Sequence, residues 1–215
     1  AGRDGLPPQK RPIAHQHDPV DDLLEAVKCL QPPAVLGCAG QPGVFTEELI
    51  GLMSRLNQRP IVFALSNPTA KAECTADQAY RWSEGRAVFA SGSPFEAVRL
   101  GNDLYVPGQG NNAYIFPGVG LGAVACGATR IIDEMFLAAA RVLADQVGEE
   151  DLAQGRVYPA LSQIREVSAK IAAEVAAIAY AQGLATETTP ADATAAALLP
   201  MIREKMFSPL YPHYV

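Results

Sequence analysis

"AVLGCAGQPGVFTEELIGLMSRLNQRPIVFALS", residues 34–66, decides the fold. Two short apolar runs, "AVLGCAG" (34–40) and "IVFALS" (61–66), flank a stretch with helical rather than alternating periodicity. Thr46 is placed to cap that helix, and Glu47 and Glu48 suit the positive end of its dipole. Phe45, Leu49, Leu52, Met53 and Leu56 recur at the spacing of one helix face. The apolar runs do not alternate with polar residues, so each is expected to be buried on both faces. Strands of that kind belong to parallel sheets joined by crossover helices.

The pattern continues on both sides. "CTADQAYRW" (74–82) opens a helix with a capping box from Thr75 to Gln78, and "AVFASGS" (87–93) is a third apolar run. Upstream, "DDLLEAVKCL" (21–30) puts Leu23, Leu24, Val27 and Leu30 on one helical face, after an irregular, proline-rich lead-in over residues 1–20. Downstream the chain turns helical: over 118–128, 133–147, 161–183 and 191–207, with Pro200 a point where the last helix is expected to break. The aromatic tail "SPLYPHYV" (208–215) is expected to lie against the chain or a partner subunit. The fold class is therefore α/β: part of a Rossmann-like doubly wound parallel sheet over 1–130, then a helical C-terminal region over 131–215.

Composition narrows the function. Of 215 residues, 49% are hydrophobic, and 17 basic against 23 acidic residues leave a net charge of -6. That balance argues against a nucleic-acid surface, and no apolar run is long enough to span a bilayer. Cys29, Cys38, Cys74 and Cys126 lack CxxC spacing and read as buried, reduced thiols, which points to the cytoplasm or another reducing compartment such as a mitochondrial matrix or plastid. "HQHD" (15–18) has His15 and His17 at i, i+2, a solvated turn or a weak metal clip; His213 stands apart. The carboxylates mostly fall on helix faces or helix starts. No nucleophile–base set stands out, and no GxGxxG opens a βα unit; "GQGNNA" lacks the third glycine and follows a proline loop.

In a doubly wound sheet, ligands bind beyond the carboxyl ends of the strands. Here those ends are "GCAGQPG" (37–43), "LSNPT" (65–69) and "ASGSPF" (90–95), all nearly uncharged and rich in small residues. A further uncharged loop, "PGQGNNAYIFPG" (107–118), displays two adjacent asparagines. An asparagine offers two donors and an acceptor without net charge, so it can hold a carboxylate or a carboxamide. Asn67 reads either as an Asx-turn before Pro68 or as such a ligand; Asn111 and Asn112 read either as a turn needing positive φ or as a displayed amide pair.

"RPIVFALSNPTAKAECTADQAY" (59–80), "GRAVFASGSPFEAV" (85–98), "PGQGNNAYIFPGVGLGAVACGA" (107–128) and "QGRVYPALSQIREVSAKIA" (154–172) together resemble the C-terminal half of malic enzyme. The resemblance spans almost the whole chain. It implies oxidative decarboxylation of L-malate to pyruvate and CO2 with NAD(P)+ and a divalent metal, Mg or Mn. It implies that Asn67, Asn111 and Asn112 bind substrate, and that Leu65, Ser66, Asn67, Gly92 and Asn112 lie at the nicotinamide. Gly37, Cys38 and Ala39 would line the path of the cofactor ribose and ring. Lys10 matches a position where a cation pairs with a 2′-phosphate, favouring NADP over NAD; a one-residue slip would give that role to Arg11. The family's base, proton donor, metal ligands and dinucleotide fingerprint would lie in an N-terminal part preceding this sequence. The segment by itself is therefore expected to be inactive, and the whole to be a homo-oligomer. A malolactic enzyme on the same scaffold is the sister reading, and a non-catalytic binding or assembly module is the third.

Overall fold

Ala34–Gly37 (β1), Ile61–Ala64 (β2) and Val88–Ser91 (β3) pair in parallel, with Val35 opposite Val62 and Val62 opposite Phe89. The computed structural model describes residues 5–16 and 18–208. The two intervening helices, Glu47–Leu56 (α2) and Ala76–Trp82 (α3), pack side by side, and Leu23–Leu30 (α1) lies against α2. α2 and α3 start as the sequence indicates, and α1 starts at Leu23 rather than Asp21. Asp22 accepts from the Glu25 amide at 2.8 Å, Thr46 from Leu49 at 3.3 Å, and Thr75 and Gln78 form the reciprocal capping box.

The sheet has a fourth strand that apolar patterning does not reveal. Val98–Leu100 (β4) and Asp103–Tyr105 (β5) form an antiparallel hairpin, and Gly108–Gln109 (β6) then adds in parallel to β3. The order β1-β2-β3-β6 advances without reversal, so the described strands form one half of a doubly wound arrangement. β6 lies inside the asparagine loop, so that loop does begin on a strand.

Only one face of this sheet is covered throughout. Val35, Val62, Ala64 and Phe89 are buried in a core with α1–α3 residues. On the opposite face, aligned Leu36, Phe63 and Ala90 pass from 60% exposed, through half-buried, to buried. The expectation that every strand is buried on both faces therefore fails at β1. On this face the Tyr158 ring packs against Phe63, at a centroid distance of 6.3 Å. Leu23 and Leu30 of α1 are likewise exposed rather than packed.

The second core is helical. It comprises Phe116–Cys126 (α4), Asp133–Ala144 (α5), Glu149–Ala153 (α6), Ile164–Ala181 (α7) and Ala195–Lys205 (α8), with α7 at its centre. α6 has no counterpart in the sequence reading. α7 starts at Ile164 because residues 161–163 form a 3-10 turn. α8 runs unbroken through Pro200, which sits on an exposed helix face. Small residues set the α4–α7 distance: a Cβ on Gly118 would meet Ile171, and one on Gly122 would meet the Ala172 carbonyl.

Two cysteines depart from expectation. All four thiols are free, but only Cys74 and Cys126 are buried; Cys29 and Cys38 are exposed, on α1 and just past β1, where packing is thin. His17, His213 and the aromatic tail over 209–215 lie outside the described residues. No helix among the described residues is long and apolar enough to cross a membrane.

Candidate functional site

The carboxyl ends of β1, β2, β3 and β6 are stitched together by neutral hydrogen bonds. Leu65 N–H donates to Gly37 O at 2.8 Å, Gly92 N–H to Ala64 O at 2.9 Å, and Gly110 N–H to Ser91 O at 2.8 Å. Side chains extend the ladder: Gln109 Nε2 donates to Gly92 O at 3.1 Å, and Ser91 Oγ to Ser93 O at 2.8 Å. Gly92 must be glycine, since a Cβ there would strike the Leu65 carbonyl and approach Asn67 Nδ2 to 2.9 Å. The loops after β2 and β3 are thus in backbone contact.

Asn67 is exposed, and its Oδ1 accepts from Ser93 Oγ at 2.5 Å. Among the described residues no backbone amide donates to this oxygen, so no Asx-turn forms. The amide nitrogen lies beside Gly92 and has no hydrogen-bond partner among the described residues, which leaves two N–H donors unused.

Asn111 has φ -122, and its Oδ1 accepts from the Ala113 amide at 2.9 Å, which caps a 3-10 turn over Asn112–Tyr114. Neither Asn111 nor Asn112 has positive φ, so the turn reading in that form is excluded. Asn112 is exposed and its side chain engages no described residue. Both asparagines, with Leu65, line a cavity of 370 Å³ whose walls include Phe63, Ile115 and Tyr158.

This loop is clamped from behind. The buried Tyr114 hydroxyl donates to Pro159 O at 2.6 Å, and its ring stacks on Tyr158 at 5.9 Å. Gly110 fits between Leu65 and the Tyr158 ring, and Gly108 passes the 157–158 backbone. Burial raises the Tyr158 phenol above its ordinary value, which keeps a neutral hydroxyl at this wall. Sequence reasoning passed over Tyr158 and Tyr114; the aromatics within and beyond the uncharged loop were the available signal.

Gly37, Cys38 and Ala39 lie elsewhere, along a 1010 Å³ cleft between α1, β1 and the start of α2. The candidate residues are therefore not gathered in one cavity: Leu65, Asn111 and Asn112 line the smaller one, Gly37, Cys38 and Ala39 the larger, and Ser66, Asn67 and Gly92 line neither. Lys10 sits on an exposed 3-10 turn, Pro8–Ile13, and lines neither cavity.

The acidic residue that sequence reasoning missed is Glu73. It is 0% exposed and lies in a loop, an exception to the expectation that carboxylates occupy helix faces and starts. Its Oε1 accepts from Ser66 Oγ, and its Oε2 from the Ser66 amide at 3.4 Å. Ser66 Oγ in turn accepts from the Gly40 amide at 2.9 Å. Gly37 is glycine for the same reason: a Cβ would overlap the Glu73 side chain. The visible signal was a glutamate between Ala72 and Cys74, short of the Thr75 cap and so outside any helix.

Among the described residues no three His, Cys, Asp or Glu side chains gather as a metal-ligand set. The described residues do not fit a divalent metal. They do suit a flat ring and a carboxylate, with small residues at backbone contact and unpartnered amide donors.

Residues 1–180 match the family model "Malic enzyme, NAD binding domain". The chain is 51% identical over 206 residues to the NADP-dependent malic enzyme of Phaseolus vulgaris, covering 95% of this chain and 34% of that protein. It is 49% identical over 212 residues to that of Vitis vinifera, covering 99% of this chain and 35% of the other. The solved malic enzyme of Pyrococcus horikoshii superposes with a TM-score of 0.59 at 25% identity, over 80% of this chain and 34% of that one. The chain thus spans about a third of the length of the curated relatives it matches.

Proposed function

This chain belongs to the malic enzyme family, matching its NAD-binding domain, and we propose on that premise that it supplies the nicotinamide side of an NADP site in a longer L-malate-oxidising, decarboxylating enzyme. NADP supplies the hydride acceptor when bound. The chain's own contribution is to hold malate against the ring. Asn67, Asn111 and Asn112 turn amide donors toward a carboxylate, and the backbone at Leu65, Ser66 and Gly92 forms a close, flat neighbour for the nicotinamide. Fixing both molecules from adjacent strand ends converts an encounter into a near-attack geometry.

The observation that carries this reading is the pairing of the asparagines: Oδ1 of Asn67 and of Asn111 is taken by an internal donor, which leaves their N–H groups without a partner among the described residues. The relatives are named as NADP-dependent, and this supports NADP over NAD. The 1010 Å³ cleft along Gly37, Cys38 and Ala39 is the natural channel for the ribose beside the ring. Lys10 remains the candidate for the 2′-phosphate, which requires the turn over Pro8–Ile13 to meet parts of the enzyme outside this sequence.

The division into a sheet unit, 1–130, and a helical unit, 131–215, belongs to the same proposal. α4 is shared between them: it continues the asparagine loop yet packs on α7. The catalytic base, proton donor and metal ligands are assigned to the rest of the longer enzyme, so the segment by itself is read as inactive.

The test is to express the complete polypeptide that contains this chain and follow reduced-cofactor absorbance with malate and NADP. Malate-dependent accumulation of NADPH and pyruvate is expected, with none from this chain by itself. Malate consumption without net cofactor reduction would favour the malolactic reading instead.

A further inference from the structure

We infer that Glu73 is a positioning residue for the nicotinamide side of the cofactor site, holding the loops after β1 and β2 in one register; the inference rests on the dinucleotide reading above. Three observations converge on it. Glu73 is fully buried, yet it sits at the wall of the cleft that carries Gly37, Cys38 and Ala39. Its carboxylate takes both polar hydrogens of Ser66, the residue immediately before Asn67. Its own carbonyl accepts from the Phe45 amide at 3.1 Å, while the neighbouring Ala72 carbonyl accepts from Gly43 at 3.2 Å.

The direction of the hydrogen bonds is forced. The Gly40 amide can only donate, so it takes a lone pair of Ser66 Oγ. The single hydroxyl proton of Ser66 must then go to Glu73. A relay from Gly40 through Ser66 to Glu73 therefore ties the loop after β1 to the loop after β2, and nothing but a strong acceptor completes it. A buried carboxylate is costly unless its lone pairs are satisfied. Here both oxygens are used on one residue of the site, and no cation among the described residues is engaged. Gly37 leaves room for this side chain and for no other atom. Glu73 has no exposed surface with which to touch a ligand, so it acts through Ser66 and Gly40.

The test uses the complete enzyme and two ligands: NADP, and adenosine 2′,5′-bisphosphate, which lacks the nicotinamide half. Glu73→Gln keeps the size but turns an N–H2 toward one of the two Ser66 donors. Its NADP Kd should rise about tenfold, the size of one lost hydrogen bond to a charged group. Its Kd for the bisphosphate should stay within about twofold of wild type, because that ligand does not reach the loops over 37–40 and 65–67. Ser66→Ala breaks the same relay from the other side, and the double variant should be no weaker than the weaker single. Ser66→Ala also serves alone if Glu73→Gln fails to fold. Unchanged NADP affinity, or equal weakening of both ligands alongside a lowered Tm, overturns the inference. Wild-type enzyme that binds neither ligand overturns the dinucleotide reading itself, a separate result.

Discussion

Ser93 Oγ donates to Asn67 Oδ1 at 2.5 Å, and this bond decides which end of the Asn67 amide is left without a partner among the described residues. Asn67→Asp keeps the Ser93 bond but replaces the unpartnered N–H2 with a second carboxylate oxygen. It should therefore harm malate use more than Asn67→Ala, although the smaller side chain removes more contact. Loss of a donor to a carboxylate is worth about 1.5–3 kcal/mol, or roughly ten- to a hundredfold in kcat/KM. Steady-state kinetics of both variants in the complete enzyme check the order. If the alanine variant is the worse, Asn67 does not face an anion.

The adjacent asparagines should separate stability from binding. Asn112 is exposed and engages no described side chain, so Asn112→Ala should leave unfolding free energy within about 0.5 kcal/mol. Its kcat/KM should nonetheless fall about ten- to a hundredfold. Asn111→Ala removes the cap on the Ala113 amide and should cost about 1 kcal/mol of stability as well. Urea unfolding beside kinetics distinguishes the pair; similar stability losses for both would make Asn112 a structural residue.

How much of this was legible in the sequence follows the range of the interactions. Caps and crossovers are local, so Thr46, Thr75 and the parallel strands were readable from a few neighbouring residues. The β4–β5 hairpin had one signal, the Gly101-Asn102 turn, but its strands are three residues each and carry Arg99 and Asp103. β6 has two residues and owes its existence to pairing with β3, which no period can show. The direction of the Asn67 amide depends on Ser93, 26 residues away, and the burial of Glu73 depends on Gly37 and Ser66. Those contacts arise only when the strand ends are brought together. The half-covered sheet face was illegible for a similar reason: an apolar strand looks the same whether or not its cover lies in the same stretch of chain.

Two glycines on α4 should respond with opposite signs. Gly120 is open, and Gly120→Ala should stabilise by up to about 1 kcal/mol through helix propensity. At Gly122 an added Cβ would lie 2.5 Å from the Ala172 carbonyl of α7, so Gly122→Ala forces two backbones apart and should cost about 1–3 kcal/mol. Thermal unfolding of the two variants is the check. Equal effects would mean that α4 and α7 are not held at this distance.

Alkaline pH should destabilise the sheet core through Cys74. Burial, with Glu73 beside it, pushes the thiol up to about 12, and burial with Tyr105 nearby raises Tyr80 as well. An unfolded cysteine loses its proton near about 8.5. Between these values the folded state holds a proton that the unfolded state has released, so stability falls as pH rises. The slope per group is about 1.4 kcal/mol per pH unit, and this contribution is fully present below the unfolded value. Tyr80 adds to the slope above about pH 10. Urea unfolding at several pH values should show the decline starting near pH 9. In Cys74→Ala the part between about pH 9 and 10 should flatten, even though that variant starts less stable. An unchanged slope would remove Cys74 as its source.

The uncovered face of β1 gives the sharpest test of how the chain is completed. Among the described residues β1 pairs only with β2, so its other edge has no strand partner there, and Leu36 is 60% exposed. Such an edge invites another strand or another molecule. Leu36→Asp should change the stability of this chain by itself by no more than about 0.5 kcal/mol, since it alters a solvated site. It should also reduce concentration-dependent association measured by sedimentation, because charge on an edge opposes pairing. In the complete polypeptide, further sequence is proposed to extend the sheet and cover this face. There the same aspartate would be buried without a partner and should cost at least about 3 kcal/mol. The comparison requires only two Tm measurements against their own wild types. If the penalty is small in both contexts, Leu36 faces solvent in the whole enzyme, and β1 is a true edge rather than the middle of a larger sheet.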